Sequence, residues 1–228
     1  MGQGILITAT DTGAGKTYVT CLLGKRLLRE VGAVLPLKPV ESGCAPGADG
    51  RLFPADAAAL RDAFAPGLSL SEVCLYPLSD VLSPHLAARA EGVSIDPARI
   101  RQTVSDAAEA TEVVLIEGAG GLTVEIREGY SFADLARDLS LPVLIVAGNR
   151  LGVLNHLKLT IHYLQSEEIS LFGVILNDLT PEPFPAREPN KAEVRRIAGN
   201  RYLGTIPYGA ASLPEELFSR FRQRLPEI

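Results

Sequence analysis

The chain predicts a doubly wound α/β fold, a mostly parallel sheet with helices on both faces, on three observations. Six short apolar runs recur along the 228 residues, at Ile5–Ile7, Val34–Leu37, Val113–Ile116, Val143–Val146, Phe172–Leu176 and Tyr202–Ile206. Stretches with helical spacing separate them, and a glycine-rich loop follows the first run directly. Most of the runs are too uniformly apolar to leave one face in water, which is the pattern of parallel strands buried on both faces. Strands alternating with helices place those strands in one parallel sheet.

The first run leads through Ala9-Thr10-Asp11-Thr12-Gly13-Ala14-Gly15-Lys16-Thr17 into Tyr18, Val19, Leu22 and Leu23. This order of strand, glycine loop and helix start is P-loop NTPase-like. Glycines let several backbone N–H groups converge on one anion, and the helix N-terminus adds partial positive charge. Lys16 then neutralises terminal phosphate oxygens, and the Thr17 hydroxyl is placed to ligate Mg²⁺. Gly13, Ala14, Gly15, Lys16, Thr17 and Tyr18 are therefore expected to contact ATP or a similar triphosphate as co-substrate. The loop is a variant, because the usual pattern has glycine where this chain has Thr10.

Further along, helical stretches are expected near 16–29, 54–64, 96–111, 131–138, 150–166, 191–198 and 213–225. Pro181, Pro183, Pro185 and Pro189 mark an irregular surface segment between two periodic regions. Ligands of such sheets sit beyond the carboxyl ends of the strands. Polar residues collect there: Lys38 and Ser42 after the second strand, Glu117 and Gly118 after the third, Gly148 and Asn149 after the fourth, Asn177 and Asp178 after the fifth.

Composition narrows the function. With no linker or break in composition, one nucleotide-binding domain over 1–228 is expected. No apolar stretch approaches the ~20 residues of a membrane span, and no basic-then-apolar leader precedes the first strand, so a cytoplasmic protein is expected. Cys21, Cys44 and Cys74 lie too far apart for a zinc or redox motif. A net charge of −5 without a Lys/Arg run argues against nucleic acid as a partner.

Mg²⁺ needs hard oxygen ligands, and Thr17, Asp56 and Glu117 are the candidates. Glu117 ends a buried strand, where an unpaired carboxylate is costly. Asp56 has a second reading, as the cap of a helix starting at Ala57. Lys38 has one too, as a strand-end lysine reaching solvent.

The segments Thr10-Asp11-Thr12…Gly15-Lys16-Thr17, Leu37-Lys38-Pro39-Val40…Ser42-Gly43, Ser83-Pro84-His85, Glu117-Gly118-Ala119-Gly120-Gly121, Leu151-Gly152…Asn155-His156 and Asn177-Asp178 together resemble dethiobiotin synthetase over nearly the whole chain. The resemblance implies an ATP-dependent ligase of biotin synthesis that closes 7,8-diaminopelargonate and CO₂ into a cyclic urea. Lys16 and Lys38 would be catalytic, facing the transferring phosphoryl group from two sides. Gly118, Ala119 and Gly120 would approach the nucleotide, and Gly120 the diamine as well. Thr12 and Ser42 would hold the carbamate end of the diamine. Leu151, Gly152 and Asn155 would receive its distant carboxylate from a neighbouring subunit, which implies a homodimer. Asn177 resembles the adenine reader, with Asp178, Pro207 and Tyr208 nearby; its other reading is a turn residue before Pro181.

The chain departs from the family at Ala9, usually glycine, at Gly13, usually glutamate, and after Gly121, where Leu122-Thr123-Val124-Glu125 lacks a common proline. Two competitors share the loop. One is a regulatory ATPase of the partitioning or septum-positioning type, but its second loop lysine would fall at Asp11. The other is a related amidoligase with a different substrate, whose glutaminase partner has no room here.

Overall fold

The computed structural model describes residues 2–226, built on a six-stranded parallel sheet. In chain order its strands are β1 (Gln3–Ala9), β2 (Val34–Leu37), β3 (Val113–Gly121), β4 (Val143–Asn149), β5 (Leu171–Asp178) and β6 (Tyr202–Ile206). Their spatial order is β6-β5-β4-β1-β3-β2, with every neighbouring pair parallel. The helices are α1 (Lys16–Val31), α2 (Ala55–Phe64), α3 (Leu70–Val73), α4 (Pro84–Glu91), α5 (Pro97–Ala110), α6 (Phe132–Asp138), α7 (Val153–Ser166), α8 (Arg187–Ala198) and α9 (Glu215–Arg222).

Alternation along each strand feeds two cores. Ile5 and Ile7 pack with Val19 and Leu23 of α1, Leu60 and Phe64 of α2, and Leu217 and Phe221 of α9. Leu6 joins the opposite core, with Ile100 and Val104 of α5, Phe132 of α6, Leu157 of α7 and Val194 of α8. Each such side chain contributes about 1.5–3 kcal/mol on burial. Covering both faces is what makes the runs uniformly apolar.

The chain leaves β1 toward β2 and leaves β4 toward β5, on opposite sides of the sheet. A crevice therefore opens between the carboxyl ends of β1 and β4, where ligands of open α/β sheets bind. The expected strands are all present, and β3, β4 and β5 continue past their apolar runs into polar or glycine residues at the rim.

The differences are local. Gly152 takes a left-handed conformation ahead of α7, so that helix begins at Val153 rather than at 150. Helix α8 begins at Arg187 rather than at 191 and takes Pro189 into its first turn, where no intrahelical acceptor is needed for the missing N–H. Helix α9 is shorter than expected. Helices α3 and α4, and three two-stranded pairings (Val40–Glu41 with Tyr76–Pro77, Ala45–Pro46 with Leu52–Phe53, Glu125–Arg127 with Tyr130–Ser131), were not legible.

Helices α1 and α2 meet at Gly24, where an added Cβ would lie 2.3 Å from the Phe64 ring. Gly24→Ala is expected to lower stability by about 1–3 kcal/mol through overpacking. The check is the urea midpoint at constant slope, with Phe64→Leu added to Gly24→Ala recovering part of the loss; an unchanged midpoint would contradict the contact.

Candidate active site

The phosphate loop turns through Gly13 (φ 74°) and Gly15 (φ 84°), both left-handed. At Gly15 no side chain fits, because a Cβ would lie 2.3 Å from the amide nitrogen of Asn177. That amide donates to the Ala14 carbonyl at 3.0 Å, which ties β5 to the loop. Helix α1 starts directly after Gly15, so its free N–H groups open into the crevice.

Lys38 stands just past β2, and Glu117 lies within β3, both almost fully buried. Lys38 Nζ donates to Glu117 Oε1 at 2.8 Å and to the Gly118 carbonyl at 3.1 Å, and lies 3.4 Å from Asp56. The same Glu117 oxygen accepts from the Thr17 hydroxyl at 2.8 Å. Burial works to discharge Lys38, but the carboxylates of Glu117 and Asp56 outweigh it and raise its pKa above the ordinary value. Lys38 is a buried cation rather than a snorkelling one.

Lys16 is its counterpart. Its Nζ donates to the Gly120 carbonyl at 3.0 Å. Burial, followed by repulsion from Lys38, lowers its pKa to about 8. Two lysines thus converge on one cavity of about 310 Å³, lined also by Thr12, Gly13, Gly15, Thr17, Tyr18, Glu41, Ser42, Asp56, Ala119 and Gly120. Asp56 is not the cap of its helix. Helix α2 begins at Ala55, and Glu41 accepts the N–H groups of Asp56 and Ala57, each at 2.9 Å. That leaves the Asp56 carboxylate facing Lys38.

The donor set suits a hard divalent cation. Glu117 Oε2 is buried without a hydrogen-bond partner among the described residues, an orphan that a cation would satisfy. Thr17 and Asp56 add a hydroxyl and a carboxylate beside it. Among the described residues no cluster of His, Cys, Asp and Glu could hold a metal alone. Few protein oxygens completed by phosphates and water are usual for Mg²⁺.

Other expected residues lie apart. Leu151, Gly152 and Asn155 do not line this cavity, and Leu151 is 90% exposed. Asp178 is held by Asn149 at 2.7 Å and flanked by Arg187 and Lys191 at 3.9 and 3.6 Å, in a network of its own. Pro207 is exposed, and its loop reaches the phosphate helix where the Tyr18 hydroxyl donates to the Ala210 carbonyl. Glu41 was missed, although it lies between Val40 and Ser42 of a motif already read. Arg150, which pairs with Asp11 and donates to the Thr12 carbonyl at 3.3 Å, gave no local signal.

A family profile described as "AAA domain" matches residues 3–216. The chain is 39% identical over 218 residues to the ATP-dependent dethiobiotin synthetase BioD of Aromatoleum aromaticum, covering 95% of each chain. It is 37% identical over 207 residues to the enzyme of the same name from Anaeromyxobacter sp. (strain K), covering 90% of each. The chain belongs to the dethiobiotin synthetase family. Solved structures extend the likeness of fold alone: the cell division ATPase MinD of Pyrococcus furiosus aligns with a TM-score of 0.55 at 18% identity, over 98% of both chains. A ParA family ATPase from Chlorobium tepidum aligns at 0.54 and 14%, over 99% of this chain and 91% of its own. The family that the sequence resembles is thus the family it belongs to, and the likeness to the partitioning-type ATPases is one of fold.

A triphosphate bound against Lys16 would raise the pKa of that amine. Above pH 8 the free lysine is increasingly neutral, so binding takes up a proton and affinity falls as pH rises through 8. Calorimetric titrations at pH 8.5 in buffers of different ionisation enthalpy are expected to reveal that uptake. Heats independent of the buffer would rule it out.

Proposed function

We propose that the chain is an ATP-dependent dethiobiotin synthetase of biotin biosynthesis, a single-domain ligase converting 7,8-diaminopelargonate, CO₂ and ATP into dethiobiotin, ADP and phosphate. The observation that carries this reading is Lys38, a buried cation in the same cavity as the phosphate loop, held by Glu117 at 2.8 Å. Two cations on one cavity suit a carboxylated amine awaiting phosphorylation beside a nucleotide, because both sides of the transferring group are negatively charged.

The chemistry runs in three steps. One amine of the diamine attacks CO₂ and loses a proton to give a carbamate. A carbamate oxygen then attacks the γ-phosphorus of ATP, the bond to the β–γ bridging oxygen breaks, and ADP leaves. The second amine attacks the carbamoyl carbon of this mixed anhydride, expelling phosphate and closing the cyclic urea with loss of a proton. Phosphoryl transfer gains mainly from positioning and charge neutralisation. Ring closure gains from confinement, for which effective molarities of about 10⁵–10⁸ M are attainable.

The chain's residues divide that work. Lys16 meets the terminal phosphates and Lys38 the carbamate and transferring phosphoryl group. Thr12 and Ser42 hydrogen-bond the carbamate end, and Gly118, Ala119 and Gly120 let backbone approach both ligands. Thr17, Asp56 and Glu117 would hold Mg²⁺, which would neutralise phosphate charge. Asn177 reads the base, with Tyr18 and Pro207 at its flank. Leu151, Gly152 and Asn155, at the exposed start of α7, suit the far carboxylate of a diamine held by a second copy, which supports a homodimer. A small-molecule enzyme of this kind fits the cytoplasm, and no helix among the described residues is long and apolar enough to cross a membrane.

Purified protein given diamine, bicarbonate, Mg²⁺ and nucleotide is expected to form the cyclic urea, detected by mass, most rapidly with ATP in parallel reactions with ATP, CTP and GTP. Absence of product with every nucleotide would overturn the assignment. Lys16→Ala and Lys38→Ala are each expected to lower turnover at least about tenfold, about 1.4 kcal/mol of transition-state stabilisation, with the fold retained by circular dichroism. Undiminished turnover in folded Lys38→Ala would remove that residue from the mechanism.

A further inference from the structure

A second cavity, of about 460 Å³, lies at the other end of the sheet, where the chain enters β6. It is lined by Arg195 from the last turn of α8, Asn200 and Tyr202 at the entry to β6, and Arg220, Gln223 and Arg224 from α9 and the residues after it. The sheet is parallel, so this is the rim opposite the phosphate loop.

Its charge is unusual for a chain of net charge −5. Arg220 is neutralised by Glu216 and donates to the Leu203 carbonyl at 3.3 Å. Among the described residues, Arg195, Arg224 and neighbouring Arg201 have no carboxylate at salt-bridge distance, although Arg196 on the next position pairs with Glu193. Arg224 donates one amino group to the Asn200 carbonyl, yet its Nε is buried with no acceptor among the described residues. A buried donor without a partner is costly, and an oxygen acceptor brought against it lifts that cost. Burial and then the charge of Arg201 hold Arg224 below its ordinary pKa, so the cluster is strained in the sense a bound anion relieves.

We propose that this cavity is a second anion site, which takes the diphosphate or longer polyphosphate group of a small molecule. Planar guanidinium forks match phosphate oxygens bidentately, and more than one unneutralised arginine calls for more than one negative charge. The cavity exceeds a single phosphate ion and falls in the size range of small-molecule sites. Asn200 and Gln223 add neutral amides at its wall, able to complete the hydrogen bonding of such a group.

The experiment is isothermal titration of the whole protein, first with Mg-ADP and then, at saturating Mg-ADP, with pyrophosphate. One ADP per chain followed by a separate pyrophosphate event supports a free polyphosphate ligand. Two ADP per chain, the weaker one displaced by pyrophosphate, supports a nucleotide as its source. One ADP and no pyrophosphate event at millimolar concentration overturns the proposal. Arg195→Gln and Arg224→Gln are each expected to weaken the second event at least about tenfold, and Arg222→Gln, outside the cavity, to leave it unchanged. The Arg195 side chain makes no hydrogen bond among the described residues, its carbonyl alone accepting from the Gly199 N–H, so Arg195→Gln carries the test even if Arg224→Gln fails to fold. Unaltered affinity in folded Arg195→Gln also overturns it.

Discussion

The hydrogen-bonded pair of Lys38 and Glu117 organises the site. One carboxylate oxygen receives both Lys38 and Thr17, each at 2.8 Å, and so joins the exit of β2, the interior of β3 and the first turn of α1. Taking two charges out of water costs several kcal/mol per ion, and a buried pair seldom outdoes a well-packed apolar substitute in stability. The pair is thus poorly explained as reinforcement. It is well explained as a cation kept charged at the edge of a cavity, with the other oxygen of Glu117 left over for a further positive partner.

A second constraint follows from two cations in one cavity. Lys16 and Lys38 repel each other, and the cost falls on Lys16, whose pKa drops to about 8, because Lys38 has the carboxylates. An incoming polyanion restores the balance. The free cavity thus holds one lysine paired with carboxylates and one short of negative charge.

Much of this was legible in the sequence, for physical reasons. Strands buried on both faces are apolar throughout, so the six runs revealed the sheet, and the rule that ligands gather at carboxyl ends picked out Lys38, Glu117 and Asn177. Between Val40 and Ile95 α2 was legible but most of the rest was not, because two-residue pairings and the four-residue α3 carry no periodicity. Glu41 escaped because its partners, the amides of Asp56 and Ala57, lie 15 and 16 residues on. Asp178 misled for a related reason: a carboxylate at a strand end looks available until Asn149, Arg187 and Lys191 are seen around it. Arg150 and Asp11 are 139 positions apart, and only the fold brings them together.

One amide shows how the loop and the sheet hold each other. Asn177 donates one N–H of its Nδ2 to the Ala14 carbonyl, a bond that the missing side chain of Gly15 makes room for. Its Oδ1 is buried and has no partner among the described residues. A buried acceptor left without a partner costs about 1–3 kcal/mol. Glu117 shows the same imbalance, with one oxygen receiving Lys38 and Thr17 and the other left without a partner among the described residues. In both places the fold gives up part of a buried polar group's hydrogen bonding to fix the rim of the sheet around the phosphate loop.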